Sequence, residues 1–380
     1  MIRMVQAVYF HIPFCEHICY YCDFNKVFLK GQPVDDYLNA MVAEMANTVQ
    51  RFQHREMKTL FVGGGTPTVL DLKQTEKLLD AIRETFAFDA NAEFTVEANP
   101  GSVDFEKLTL LKEGGVNRLS FGVQAFQDEL LKAIGRDHCE EDIEKSISLA
   151  RQAGFDNISL DLMFGLPGQS PDMFLASLQK AIALGVDHLS AYSLQIEPRT
   201  IFYNRMNRGK LHLPSEDEEV NMYERLIETM ESHGFLHYEI SNFAKPGKKS
   251  SHNLTYWNND EYYGIGAGAH SYVNGVRREN VKPIKKYIML MEKDGFPYRE
   301  EHKLTIREQM EEEMFMGLRK RSGVSKTRFY SKFNVALDDV FSSEISDLVA
   351  RGLLTNASDR VALTKKGVFL GNEVFQAFIA

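Results

Sequence analysis

Cys15, Cys19 and Cys22 put three thiols on one short segment, and these are the residues of the chain with the clearest chemical potential. Soft thiolates grouped in this way select zinc, copper or an iron–sulfur cluster. They cannot pair off as disulfides, and the fourth cysteine, Cys139 beside His138, fits no motif and reads as an incidental thiol. Disulfide-stapled secreted domains are small and far denser in cysteine, so a reducing compartment is expected. A structural zinc site closes on four ligands, usually in two pairs, and no second cysteine pair follows. His11 and His17 are near enough in sequence to supply a fourth ligand, although a histidine beside a tight loop more often packs or hydrogen-bonds. A cubane on three cysteines would instead keep one iron open to a ligand.

The elements that must position these thiols follow from periodicity. Short β-branched or aromatic runs alternate with amphipathic stretches, and each repeat reads as a βα unit. Strands are expected at 6–12, 58–62, 93–98, 118–123, 157–164 and 188–195, with helices at 34–50, 71–86, 104–113, 140–153 and 171–183. Six strands separated by helices form a parallel sheet, and right-handed crossovers curl it into a partial (β/α)6 barrel of the TIM type. The unusual residues fall at strand C-terminal ends: the cysteines after the first, Gly63 to Pro67 after the second and Glu97 to Pro100 closing the third. Gln124 follows the fourth, Asp161 lies in the fifth before Gly165 to Gly168, and Gln195 to Pro198 end the sixth. Ligands gather at that edge of parallel α/β folds, where loops and helix N-termini converge.

Beyond residue 200 the pattern changes. A helix is expected at 215–233, then a Lys, Gly and Ser-rich loop, the run His252 to Trp257, and a Gly-rich run from Gly264 to His270. From about residue 301 helices at 306–319, 326–333 and 345–351 precede a hairpin at 353–363, an order that suggests a small winged-helix-like α+β module. The expected division is therefore 1–200, 201–300 and 301–380. A net charge of -9, with basic and acidic residues nearly balanced in the last segment, argues against nucleic acid as a partner. No apolar segment with a small-residue cleavage site opens the chain, and no apolar run is long enough to span a membrane, so a cytoplasmic protein is expected.

The Cys-x3-Cys-x2-Cys loop after the first strand, with Tyr21 between its last two cysteines, resembles the signature of the radical S-adenosylmethionine (SAM) superfamily. The resemblance implies a [4Fe-4S] cluster on Cys15, Cys19 and Cys22, whose open iron binds SAM and cleaves it reductively to methionine and a 5′-deoxyadenosyl radical. It gives Gly64, Gly65 and Thr66 the place of the backbone that meets the methionyl amino group. It implies further cofactor contacts for Tyr9, Tyr21, Glu97, Gln124, Arg136 and Asp161. Taken alone, each has a plainer reading: glycine runs serve tight turns, Glu97 can be a solvated strand end, and Arg136, at the start of a helix, can form a surface ion pair.

Local motifs narrow the branch. The segments 9–15, 63–67 and 161–168 and the C-terminal module resemble the oxygen-independent coproporphyrinogen III dehydrogenase group. The true dehydrogenases carry a further cysteine two positions after the third, where this chain has Phe24, and a longer segment before the cluster. Both departures, and the run His252 to Trp257 matching HNxxYW, resemble the HemW-like subgroup of heme chaperones. That resemblance implies heme as cargo and heme-acceptor proteins as partners. It leaves room for peripheral contact with membrane-bound acceptors and for a homodimer. His252 is the candidate heme ligand and His270 a weaker one; the plainer reading of the motif is a core corner. Radical decarboxylation in porphyrin biosynthesis, or radical SAM chemistry on another substrate, is the rival activity, and no catalytic residue is assigned. Replacing Cys19 by Ala is expected to abolish the broad visible absorbance of the reconstituted protein while circular dichroism stays that of a folded barrel; intact absorbance would reject the ligand assignment.

Overall fold

The computed structural model describes residues 4–379. The six expected strands are present: β1 (Val5–Ile12), β2 (His54–Gly64), β3 (Phe88–Ala98), β4 (Arg118–Gln124), β5 (Ile158–Phe164) and β6 (His188–Ser193). Each pairs in parallel with the next. The sheet extends beyond them. β7 (Leu236–Glu239) and β8 (Asn242–Ala244) form an antiparallel edge next to β6, and β9 (Tyr263–Ile265) pairs in parallel with β1. The order is β9-β1-β2-β3-β4-β5-β6-β8-β7, an open barrel whose two edge strands do not meet. The added strands hold three or four residues each, too few for a period of two to be read from sequence.

Strand residues alternate between two buried environments. Leu60, Val62, Phe94, Val96, Leu119, Phe121, Leu160 and Leu162 belong to the continuous apolar core with the outer helices. A single aromatic lost from such a layer costs about 3–5 kcal/mol. The intervening positions are mostly polar and equally enclosed: Thr95, Arg118, Ser120, Ser159, His188 and Ser190 are all buried. Register carries this second set across the sheet, with Glu97 beside Ser120, Gly122 beside Asp161 and Asp161 beside Ser190. Inside, His188 Nδ1 meets Ser159 Oγ at 2.8 Å and His188 Nε2 meets Tyr238 Oη at 2.8 Å. The polar lumen opens towards the strand C-termini.

The helices between the strands, Val34–Arg51, Leu72–Thr85, Phe105–Glu113, Glu140–Gln152 and Pro171–Ala183, lie within two residues of their expected limits. Their ends are set by side chains: Asp71 and Gln74 form a capping box, and Asp104 and Ser170 accept from the backbone three residues on. Cys139 stands at the N-cap of Glu140–Gln152, its thiol 3.2 Å from Asp142 Oδ2. In the C-terminal module, Ile306–Gly317, Lys326–Phe333 and the hairpin of Leu354–Asn356 with Arg360–Leu363 fall where expected; Val324–Ser325 adds an unexpected third strand, and the next helix starts earlier, running Leu337–Ala350. Phe341 breaks its regular backbone (φ -126°, ψ 28°), and the sequence signal survives only beyond that break.

One buried carboxylate ties the Gly-rich run to the barrel. Glu44, on helix Val34–Arg51, accepts from Gly266 N–H (2.8 Å), Asn280 Nδ2 (2.7 Å) and Tyr287 Oη (2.5 Å). Beside it Tyr37 Oη donates to His11 O at 2.7 Å and accepts from Ala267 N–H at 2.9 Å. Gly266 is needed there: it has φ +105°, and a Cβ would lie 2.7 Å from Tyr37 Oη. Burial raises the Glu44 carboxyl from 4.5 to about 7, against the pull of its three donors. A raised acid holds its proton longer folded than unfolded, so its contribution to stability is lost as pH rises from about 4.5 to about 7. The variant Glu44→Gln is expected to show a shallower fall of Tm across that window; an unchanged slope would contradict the assignment.

Candidate functional site

The cysteine loop leaves β1 and is held at three points. Phe14–Cys15 pairs in parallel with Val27–Phe28, closing the loop on itself. Tyr20 N–H donates to Ile134 O at 3.0 Å, and Tyr20 O accepts from Phe202 N–H at 3.0 Å. The Arg205 guanidinium lies 4.3 Å from the Tyr20 ring centroid. Gly135 lets that ring approach, since a Cβ there would stand 2.7 Å from Tyr20 Cδ1. All three thiols then face one cavity of about 450 Å³ at the C-terminal mouth of the barrel.

The glycines after β2 form the wall beside Cys15, each against a particular partner. A Cβ on Gly63 would fall 2.7 Å from Glu97 Oε2, and one on Gly65 would fall 2.9 Å from Cys15 Sγ. Gly64, at φ +118°, donates its N–H to Glu97 Oε2 at 3.0 Å. A chain of hydrogen bonds links the wall to the thiol. Arg136 Nη1 donates to Asn99 Oδ1 (2.9 Å), Asn99 Nδ2 to Thr66 Oγ1 (3.0 Å), and Thr66 Oγ1 to Cys15 Sγ (3.7 Å). Each member fixes the next.

Electrostatics suit this cavity to cations of different kinds. Burial pushes the Cys15 thiol up to about 11, partly offset by the Thr66 hydroxyl, and burial raises Cys22 as well. Thiols held protonated so firmly become thiolates when a metal takes up the charge. Among the described residues no three His, Cys, Asp or Glu side chains converge on one ion. A polynuclear cluster, which would take each thiolate at a different iron, asks for several thiols on one cavity without convergence on a single ion, and these three residues fit it. Glu97 is raised to about 7 by burial and then by Asp161; burial also raises Asp161, against Ser190, Arg118 and Ser120. Arg136 Nε is buried without a hydrogen-bond partner among the described residues, a donor suited to a carboxylate.

Of the residues expected to touch the cofactor, Tyr21, Gly64, Gly65, Thr66, Glu97, Gln124, Arg136 and Asp161 share this cavity with the three cysteines. Gln124 takes φ +65°, a strained turn that ends β4. Two plainer readings are corrected. Glu97 is half-buried in the cavity wall and bonded to Gly64 N–H rather than solvated, and Arg136 lies in a loop between helices rather than at a helix start or in a surface ion pair. Tyr9 is not among the residues around the thiols. Its ring stacks on Phe61 at 6.0 Å and faces a second cavity, because strand alternation turns position 9 into the lumen ahead of the loop. Asn99 and Ser120 line the thiol cavity without having been singled out; Asn99 follows Glu97 in the strand-end run, and its pairing with Thr66 is visible only in three dimensions.

The second cavity, of about 510 Å³, shares Asp23, Phe24, Gly64 and Glu97 with the first. His252 stands in its wall on helix Ser251–Trp257, whose N-terminus is held by the Glu93 carboxylate through Ser251 N–H (2.7 Å) and His252 N–H (2.9 Å). The imidazole stacks on Phe61 at 5.1 Å. Its Nδ1 is 2.9 Å from Thr59 Oγ1 and its Nε2 2.8 Å from Tyr256 Oη. Burial lowers it to about 3, so it is neutral. As placed, His252 is a core corner, and ligation of iron would break one of these bonds. His11 is likewise engaged at Tyr9 Oη (2.9 Å) and Asn25 O (2.7 Å), while His17 pairs with Asp137 at 2.7 Å on the surface.

The sequence profile of the Radical SAM superfamily matches residues 9–181, and that of the HemN C-terminal domain matches residues 304–370. The heme chaperone HemW of Bacillus subtilis (strain 168) is 54% identical over 376 residues, covering 99% of both chains. That of Escherichia coli (strain K12) is 36% identical over 379 residues, covering 98% of both. Among solved structures, the coproporphyrinogen III oxidase HemN of Escherichia coli, a radical SAM enzyme, superposes with a TM-score of 0.87 at 27% identity, covering 99% of this chain and 90% of that one. No helix of the described residues is long and apolar enough to cross a membrane. The chain belongs to the HemW family of the radical SAM superfamily, whose chemistry rests on SAM and an iron–sulfur cluster.

Proposed function

We propose that this protein is a heme chaperone: it holds a [4Fe-4S] cluster on Cys15, Cys19 and Cys22, binds SAM beside it, carries heme, and delivers heme to acceptor proteins. The observation that carries this reading is full-length likeness, at 54% identity, to a protein named for that role. Phe24 supports it, standing where the dehydrogenases carry their further cysteine. Residues 1–200 form the cofactor barrel in this proposal, 201–300 the extension bearing HNxxYW, and 301–380 the covering module. Cytoplasmic residence, peripheral approach to membrane-bound acceptors and a homodimer belong to the same proposal.

Cluster and SAM, when bound, supply one-electron chemistry; the chain's own part is to position and shield them. Gly64 and Gly65 bring bare backbone to the cavity wall, Glu97 offers a carboxylate to a cationic group, and Arg136 offers Nε to an anionic one. The likeness to HemN favours one second reading, a radical decarboxylation of coproporphyrinogen in the same cavity.

The two readings separate when the anaerobically reconstituted protein is offered heme and coproporphyrinogen III in parallel. Stable heme binding without turnover is expected; formation of protoporphyrinogen would sink the chaperone reading. Glu97 gives a pH test. It is a carboxylate above about 7 and a neutral acid below, so affinity for the cationic SAM should fall as pH drops through that value. The fall should reach about tenfold per pH unit below it. Glu97→Gln should bind SAM weakly at pH 8 and lose that dependence; the same slope in the variant would remove Glu97 from the site.

A further inference from the structure

We propose that a third cavity, between the barrel extension and the C-terminal module, binds a small molecule through a diphosphate group. It lies between β7, the C-terminal end of helix Ser251–Trp257 and the stretch 317–328 with Arg360, and has a volume of about 550 Å³. Small-molecule sites usually fall within ~300–1,000 Å³. The cavity shares no lining residue with the thiol cavity or the aromatic one. Tyr238 in its wall bonds to His188, the first residue of β6, so it lies towards the strand N-termini, the end of the barrel away from the thiols.

Charge identifies the class of ligand. Among the described residues the lining carries five cations, Lys249, Lys320, Arg321, Arg328 and Arg360, and one carboxylate, Glu313. That carboxylate is already shared, with Arg328 Nε 3.3 Å away and Lys332 Nζ 2.5 Å away. Arg328 also pairs with Asp260 at 2.9 Å, which leaves it satisfied. The other four cations have neutral or distant partners. Among the described residues Lys249 meets only the Tyr238 ring, 5.7 Å from its centroid. Lys320 Nζ donates to Asn258 Oδ1 at 2.5 Å, and Arg321 Nη1 to Leu363 O at 3.5 Å. Arg360 donates to Ser322 O at 3.3 Å and stands 3.9 Å from Asp359, whose oxygens are taken by Thr327 and Ser325. His237, lowered to about 4 by burial and then by Arg321, adds no charge.

Four such cations around one space, in a chain of net charge -9, point to an anion as the ligand. A phosphate group carries about -1.5 to -2 near neutral pH, so two groups match four cations. Arg321 and Arg360 offer planar forks that grip phosphate oxygens in pairs, and Lys249 and Lys320 add point charges. Burial, and then Arg328, pushes the Lys320 ammonium down to about 8, against Glu313 and Asp260. A bound anion restores the charge that burial opposes. Lys249 comes from the loop before helix Ser251–Trp257 and the other three from the C-terminal module, so a diphosphate clamps the module onto the barrel. Leu254 and Asn258 face this cavity, while His252, Asn253 and Tyr256 of the same segment face the aromatic one.

The test is a calorimetric titration of the reconstituted full-length protein with inorganic pyrophosphate, ADP and inorganic phosphate, without divalent metal. Pyrophosphate or ADP should bind at least about tenfold more tightly than phosphate, and should raise Tm. The tighter of the two names the source, a nucleotide if ADP and the inorganic anion if pyrophosphate. Lys249 and Arg360 are exposed, so Lys249→Ala and Arg360→Ala should keep the circular dichroism and SAM affinity of the wild type. Each should nevertheless weaken diphosphate binding about tenfold, and Lys249→Arg should retain it. No binding of pyrophosphate or ADP, equal affinity for phosphate, or wild-type affinity in both alanine variants would overturn the site.

Discussion

Burying charge inside a barrel is costly unless each charge meets a partner, and the architecture of this protein follows from that constraint. Alternate residues of β3, β4 and β5 send Glu97, Arg118 and Asp161 into the lumen, with Arg118 buried and the two acids half-buried at its mouth. The Arg118 guanidinium holds both acids below the values that burial alone would give them. The remaining polarity is met by Ser120, Ser190 and the Gly64 amide. Compensation is incomplete at the mouth. There Glu97 stays poised near neutrality and Arg136 Nε stays without a protein partner, and there the thiols also lie. A group carrying both a cation and a carboxylate completes what the fold leaves open.

Glycines decide how close the walls can come. Gly63, Gly64 and Gly65 have no room for a side chain because Glu97, His11, Phe14 and Cys15 already fill it. The same device recurs at Gly266 against Tyr37 and at Gly135 against Tyr20. Each bare backbone position is matched to a particular aromatic, acid or thiol. The thiol cavity and the aromatic cavity are consequently separated by little more than Gly64, Glu97 and the loop residues Asp23 and Phe24.

Much of this could be read from the chain. β1 to β6, their helices and the thiol triad declare themselves through period, caps and spacing, which are local properties. What escaped was long-range or too short to show a period. β7, β8 and β9 hold three or four residues each and acquire strand geometry only by pairing with the barrel. Leu337–Ala350 is split at Phe341, which hid its first turns. Tyr9 belongs to a motif beside the cysteines, yet strand alternation turns it into the neighbouring cavity. His252 carried the strongest motif signal for heme, but its nitrogens are committed to Thr59 and Tyr256, partners that no linear pattern reveals.

A single chain that holds a cluster and SAM at the barrel mouth and carries heme alongside them is the core of the account. Equilibrium binding of SAM to the reconstituted protein, with and without saturating heme, tests it most directly. The account predicts one SAM and one heme per chain bound together, each at an affinity little changed by the other. Mutually exclusive binding, with heme displacing SAM in a competitive pattern, would contradict it.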